Sequence, residues 1–345
     1  MRNRLHPLRE LLLARFRESF REPEVVFWTY GFPLLLAVGL GIAFRNRPME
    51  QIYVDVEQHT SAAAVAEHLR GSPGFTVEVH LRQACRERLR LGKSSITVVP
   101  GEHYTFVYDP TRPESALARQ RVDDVLQRAA GRRDPIPIRE QQVQEPGARY
   151  IDFLVPGLIG MNLMGSGMWG VGFVIVDMRV RKLLKRFVAT PMKRSDFLWS
   201  MVGGRMLFMF PELGIILGAG VLLFGVAVRG SIAGIFLISV TGALCFAGLG
   251  LLVACRAQHI ETVSGLMNLV MLPMWLLSGV FFSSDRFPAY LQPLVQALPL
   301  TQLNNALRAV ILEGAPLPAQ AGKLAILVAW GGISFAIALR CFRWN

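Results

Sequence analysis

Three consecutive residues invite a chemical reading first: Gly92, Lys93 and Ser94, in the stretch LGKSSITVV. Gly-Lys-Ser closes the phosphate-binding loop Gly-x-x-x-x-Gly-Lys-Ser/Thr of ATPases. That loop needs a strand before it and a helix after it, because backbone amides and the helix N-terminus together cradle the phosphates. Here the first glycine would fall at position 87, which is Glu87, and a carboxylate there repels phosphate. The flanks are also reversed. RQACRERLRLG reads as a helix ending at Gly92, and SITVVP reads as a strand. The triplet is therefore read as a helix cap before a strand. No catalytic, cofactor or metal cluster is expected in this chain. Cys85, Cys245, Cys255 and Cys341 form no Cys-x-x-Cys pair and the histidines are scattered, which argues against a zinc site and a disulfide framework.

Polar side chains inside apolar runs are the second place to look. Arg205 and Glu212 lie in the apolar stretch from about Phe197 to Val228, and Glu212 follows Pro211. Charges within a membrane span face protein or water and tend to pair. Seven positions put these two on one helix face two turns apart, which argues against direct contact. Proton coupling, substrate contact and a structural polar link compete, with the structural link preferred. Asn162 and Asn268 are amides in otherwise apolar runs, and each either lines a pathway or bonds a neighbouring helix. VPGLIGMNLMGSGMWGVG places glycines at 157, 160, 165, 167, 170 and 172. Such small residues let helices approach closely in lipid, within a subunit or between two.

The element that must position these groups is a membrane bundle. Of the 345 residues, 52% are hydrophobic, which suits a membrane protein. A helix crosses a bilayer with about 20 apolar residues. Six runs qualify: Val25 to Phe44, Phe153 to Val176, Phe197 to Val228, Ser231 to Cys255, Thr262 to Phe282 and Leu324 to Leu339. The last is short, but Lys323 and Arg340 can snorkel from its ends. The first follows a basic leader, yet it is too long for a secretory signal core, and FRNRP offers no small-residue cleavage site; it is read as a retained span.

Lys and Arg in the short loops set the orientation. The first 24 residues carry six Arg. Residues 177–196 carry Arg179, Arg181, Lys182, Lys185, Arg186, Lys193 and Arg194. The opposite side carries Arg229, Arg286 and Arg308. Both termini are then expected in the cytoplasm. The net charge of +12 (37 basic minus 25 acidic) is largely accounted for by topology rather than by a nucleic-acid partner.

The expected fold is an α-helical polytopic membrane protein of six transmembrane helices, with a small α/β extracytoplasmic domain between helices 1 and 2. Residues 45–150 form that domain and hold 16 Lys and Arg against 14 Asp and Glu. QIYVDV, FTVEVH, SITVVP and TFVYD read as strands. SAAAVAEHLRG, RQACRERLRLG and RPESALARQRVDDVLQRAAG read as helices, the last with Pro113 in its first turn and Gly131 after its end. Residues 1–24 read as an amphipathic interfacial helix, with Leu5, Leu8, Leu12 and Phe16 at helical spacing. It either anchors the chain or also touches a partner. Residues 25–44 are the first span, and 151–345 carry five more. Within these, the loop 177–197 mixes Leu183, Leu184, Phe187 and Val188 with cations. Pro191 stops its helix and Ser195 can cap the next. This pattern suits docking into a groove on a cytoplasmic protein. Residues 283–320, interrupted by Pro288, Pro293 and Pro299, read as an outer re-entrant segment.

Two stretches together resemble a known family. LLKRFVATPMKRSDFL is similar to the Thr-Pro and basic-pair loop of ABC-2-type export permeases, the membrane subunits of one class of ATP-binding-cassette exporters, type V-like. LLSGVFF, a later FP, and LPLTQLNNALRAVILEG resemble that family's signature through Ser278, Gly279, Phe281, Phe282, Pro288, Pro299, Arg308 and Gly314. The resemblance covers essentially the whole chain. One departure concerns the loop: many members carry an acidic residue and a Gly-Thr pair where this chain has Val180, Lys182 and Leu183.

The resemblance implies a permease without its own ATPase. ATP and Mg would be bound by a separate nucleotide-binding subunit. That subunit would dock on Arg181, Lys182, Leu184, Lys185, Arg186, Phe187, Thr190 and Pro191. Two ATPases would serve two permeases, either two copies of this chain or this chain and a paralogue, with a periplasmic adaptor as an optional partner. The pathway would lie between the permeases, lined by the second and fifth spans, with Gly157, Gly160, Asn162, Gly165, Asn268, Ser278 and Gly279 as candidates. The setting would be a bacterial inner membrane. Two rivals stand beside this reading. A proton-coupled secondary transporter using Glu212 would work without an ATPase. A membrane-anchored sensor with an outer ligand-binding domain would need a cytoplasmic signalling domain, and the cytoplasmic pieces are short.

Overall fold

A computed structural model describes residues 26–43, 51–133, 149–183 and 194–341, with the backbone alone for 194–200. Contacts divide the chain into two units, residues 46–143 and the remainder.

The smaller unit is a four-stranded sheet flanked by helices. Its elements are β1 (Ile52–Glu57), α2 (Ala62–Arg70), β2 (Phe75–His80), α3 (Arg82–Arg90), β3 (Ile96–Val99), β4 (Thr105–Val107) and α4 (Pro113–Ala129); α1 belongs to the other unit. The strand order is β2-β1-β3-β4. β1 pairs in parallel with β2 and β3, while β3 pairs antiparallel with β4. Side chains alternate between sheet faces. Ile52, Val54, Val56, Val77, Ile96 and Val98 thus share one face and build a core with Ala66 and Leu69 of α2 and Ala118 and Val122 of α4. The opposite face is polar, and α3 packs there through Cys85 and Arg88.

Gly-Lys-Ser sits between α3 and β3. Gly92 has φ +72°, a left-handed conformation that glycine adopts without a Cβ clash, and it ends α3. Helix before and strand after is the reverse of a phosphate loop.

The larger unit holds α1 (Phe27–Ala43), α5 (Tyr150–Val180), α6 (Arg194–Phe224), α7 (Ile232–Ala254), α8 (Ile260–Leu277), α9 (Gln292–Ala297), α10 (Pro299–Ile311) and α11 (Ala321–Cys341). Five segments, α5 to α8 and Leu317–Cys341, are long and apolar enough to cross a membrane; α1 is a shorter apolar helix. The centre of the bundle is α7, which packs against α5, α6, α8, α10 and α11. Phe246 of α7 is fully buried there, packed against Gly167 of α5. α5 is one continuous rod, but its turn Met168–Phe173 is wound as a π-helix.

Element ends differ from the hydropathy reading. The third span was expected to reach Val228, but α6 ends at Phe224, because Gly225 turns left-handed at φ +62°. The fifth was expected to reach Phe282, but α8 stops at Leu277 ahead of Gly279, whose φ is +69°. Hydropathy counts apolar residues; the backbone reversal at glycine decides where a helix stops.

The segment after α8 does not lie on the surface as a whole. Of the 13 residues of α10, all but Asn305 are buried. α10 lies against α5, α7 and α11. Protein shields this short polar helix.

Candidate functional site

Arg205 and Glu212 make the first polar centre. Against the expectation of no contact, they form a bidentate ion pair: Arg205 Nη1 donates to Glu212 Oε1 at 2.7 Å and Nη2 to Oε2 at 2.6 Å. Seven residues rise about 10 Å along a helix, which two long side chains lying along the same face can bridge. Burial drives them together, since both residues are almost wholly enclosed. Ser166 of α5 completes the ring. Its hydroxyl accepts from Arg205 Nη2 and donates to Glu212 Oε2 at 3.1 Å. Asn162, one turn earlier, donates to Glu212 Oε2 at 3.5 Å and to the Thr29 carbonyl of α1 at 3.3 Å. The Tyr30 hydroxyl is buried near the same pair. Four polar side chains thus tie α1, α5 and α6. Ser166 and Tyr30 were missed in the sequence; Ser166 stands at i+4 from Asn162, the spacing that aligns side chains on a helix.

The signature residues make a second centre. Asn304 and Arg308 are one turn apart on α10 and reach the broken end of α8. Asn304 Nδ2 donates to the Ser278 carbonyl at 2.9 Å, and Arg308 Nη2 donates to the Gly279 carbonyl. The last carbonyls of a helix have no partner within it and carry partial negative charge, so an amide and a guanidinium satisfy them. Arg308 also donates to the Phe153 carbonyl at 3.3 Å and lies 3.6 Å from the centre of the Phe153 ring. Asn304 was the residue missed here, and its i−4 relation to Arg308 was the available signal.

This centre explains two glycines of α5. A Cβ on Gly157 would lie 2.5 Å from the Val280 carbonyl, and one on Gly160 would strike Asn304 Oδ1. Gly157, Gly160, Asn162, Ser278 and Gly279 therefore spend their contacts inside this chain. Gly165 is half-buried near Met271. Asn268 differs. It is exposed on an outward stripe of α8 with Gly265, Leu269, Leu272 and Leu276. Of the remaining signature residues, Pro299 is buried at the start of α10, and Phe281 is half-buried and accepts from the Tyr150 hydroxyl at 3.1 Å. Phe282, Pro288 and Gly314 are exposed, the last with φ +69°.

At the other end of α5, Arg181 pairs with Asp177 at 2.9 Å and is exposed. Lys182 has φ +58°, unusual for a residue with a side chain, and it ends the helix. Leu184, Lys185, Arg186, Phe187, Thr190 and Pro191 lie outside the described residues, as do residues 1–25.

In the α/β unit, Asp55, Glu78 and His80 bring ligand atoms within 4.8 Å of one another. Arg88 already serves both carboxylates, with Nε 3.0 Å from Asp55 and Nη2 2.6 Å from Glu78. The guanidinium supplies the positive charge that a metal would bring. His80, 2.9 Å from Glu78, and Arg88 hold the Glu78 carboxyl below its usual range. Burial pushes the Cys85 thiol up to about 11, helped by Asp55 and Glu57.

Comparison with known proteins gives this architecture its place. The sequence pattern described as "ABC-2 family transporter protein" matches residues 23–340. The chain belongs to the ABC-2 transporter family. Among its relatives in this family is the probable multidrug ABC transporter permease YbhS of Escherichia coli K12, 23% identical over 336 residues and covering 89% of each chain. The linearmycin resistance permease protein LnrN of Bacillus subtilis is 26% identical over 176 residues, 51% of this chain and 46% of that protein. ABC transporter G family member 20 of Dictyostelium discoideum is 26% identical over 202 residues. That match takes in 58% of this chain and 27% of the larger protein. An ABC-2 permease of this kind is a multi-pass membrane protein with a transport role.

Proposed function

We propose that this chain is the permease subunit of an ATP-driven exporter, energised by a separate nucleotide-binding subunit that docks on residues 177–197. The observation that carries this reading is the near end-to-end likeness to YbhS, named as a permease. ATP and Mg belong to the partner; the Gly-Lys-Ser of this chain is flanked by the wrong elements for phosphate. Two permeases with two ATPases form the transporter, the second permease being a further copy or a paralogue. Residues 45–150 face the outside of a bacterial inner membrane, with both termini in the cytoplasm. The outward stripe of α8 faces the other permease and the pathway, because Asn268 is a polar group that lipid would leave unpaired.

The proton-coupled alternative is disfavoured by the ion pair. Arg205, Ser166 and Asn162 already occupy both oxygens of Glu212, so a structural tie fits the carboxylate better than a proton carrier. Reconstitution tests this. Vesicles with the permease and its ATPase should export only with MgATP, and vesicles with the permease alone should export nothing. Export by the permease alone, driven by a proton gradient, would reverse the assignment.

A further inference from the structure

Arg179 enters the sequence argument only as one of several loop cations that orient the chain. Its side chain is instead 8% exposed. Nη1 donates to the carbonyls of Ala254, at 3.0 Å, and of Ala257. Nη2 donates to the Cys255 carbonyl at 3.3 Å. Those carbonyls belong to the last residue of α7 and the turn that leads to α8, which begins at Ile260 after its N-cap His259. One guanidinium thus joins the end of α7 to the turn that follows it. Only its planar fork offers donors in several directions at once; an ammonium on the same stem is a point charge.

The position of Arg179 on α5 matters as much. It stands three residues before Lys182, where α5 breaks into the basic loop, and Lys182 donates its N–H back to the Arg179 carbonyl at 3.0 Å. The final turns of α5 also pack on α8. A push on the loop arrives first at this turn of α5.

We propose that Arg179 is a positioning residue of the coupling path: it fastens the α7–α8 turn to the root of the loop, so that loop displacement moves α8. This rests on the ATPase-coupling reading above. The α8 stripe carrying Asn268 begins at that turn, which gives the clamp a target in the transport path.

The test uses the full-length permease with its ATPase in lipid nanodiscs, read by hydrogen–deuterium exchange with and without MgATP and vanadate. In the wild type, exchange should change both in peptides covering 184–193 and in those covering 255–260. R179A should keep the change at 184–193, lose it at 255–260, and drop transport-coupled ATP hydrolysis to the basal rate. R179K, with charge but no fork, should fall between the two. If R179A does not assemble, R179Q is read by the same criterion. A wild-type response at 255–260 in assembled R179A or R179Q overturns the clamp. So does a wild-type complex that responds at 184–193 but not at 255–260. A wild-type complex silent at 184–193 overturns the coupling reading itself, and the clamp with it.

Discussion

Arg205 and Glu212 neutralise each other in a place where neither charge could stand alone. Removing one partner leaves the other buried and uncompensated, which costs about 3–5 kcal/mol, whereas an apolar pair of similar volume is close to neutral. Glu212→Ala or Arg205→Ala should therefore lower the apparent melting temperature of the solubilised permease strongly, and the double variant R205M/E212L should recover most of it. A double variant as unstable as the singles would mean that the pair is not the unit. Cys85 offers a second residue-scale check. A buried thiol held near 11 is almost entirely protonated at neutral pH. Maleimide should label it only after unfolding, and rapid labelling of the folded protein at pH 7 would contradict its placement under the sheet. The sequence exposed the two membrane charges as anomalies but not their contact, because spacing reports Cα positions and not the reach of long side chains. Asn304, Ser166 and Arg179 were less legible. Each acts on a backbone carbonyl or a partner far away in sequence, and the only local sign was the four-residue spacing of Ser166 from Asn162 and of Asn304 from Arg308.

Glycines decide how closely the helices pack. A Cβ on Gly172 of α5 would strike the Gly250 carbonyl of α7, and one on Gly160 would strike Asn304 of α10. Gly218 of α6 has nothing within 4 Å of its added Cβ. Gly160→Ala and Gly172→Ala should each destabilise by about 1–3 kcal/mol through overpacking. Gly218→Ala should be neutral or gain up to about 1 kcal/mol of helix propensity. Thermal unfolding of the three variants side by side checks this, and equal effects would mean that the close approaches are wrong. At this scale most elements were readable. The alternating strands and helices of the α/β unit follow their hydrophobic periods, and α5 to α8 follow their apolar runs. What hydropathy missed were the glycine stops at Gly225 and Gly279 and the π-turn at Met168–Phe173. It also gave no sign that α10, too polar to span, would be enclosed by three helices.

At the scale of the molecule, the chain is an ABC-2 permease whose inner contacts are largely accounted for. α8 still presents a stripe outward. If that stripe meets a second permease, Asn268→Cys in a background lacking the four native cysteines should cross-link between copies in native membranes, and Leu339→Cys on the outer face of α11 should not. The reverse pattern would move the interface elsewhere. The energy source is the central claim, and the loop is where it is tested most directly. The permease is co-expressed with its ATP-binding-cassette ATPase, and Leu184, Arg186 and Phe187 are replaced together by alanine. Co-purification of the ATPase and transport-coupled ATP hydrolysis are then measured. The account predicts that both are lost while the permease still folds and inserts. Unchanged complex formation and unchanged coupled hydrolysis would contradict it.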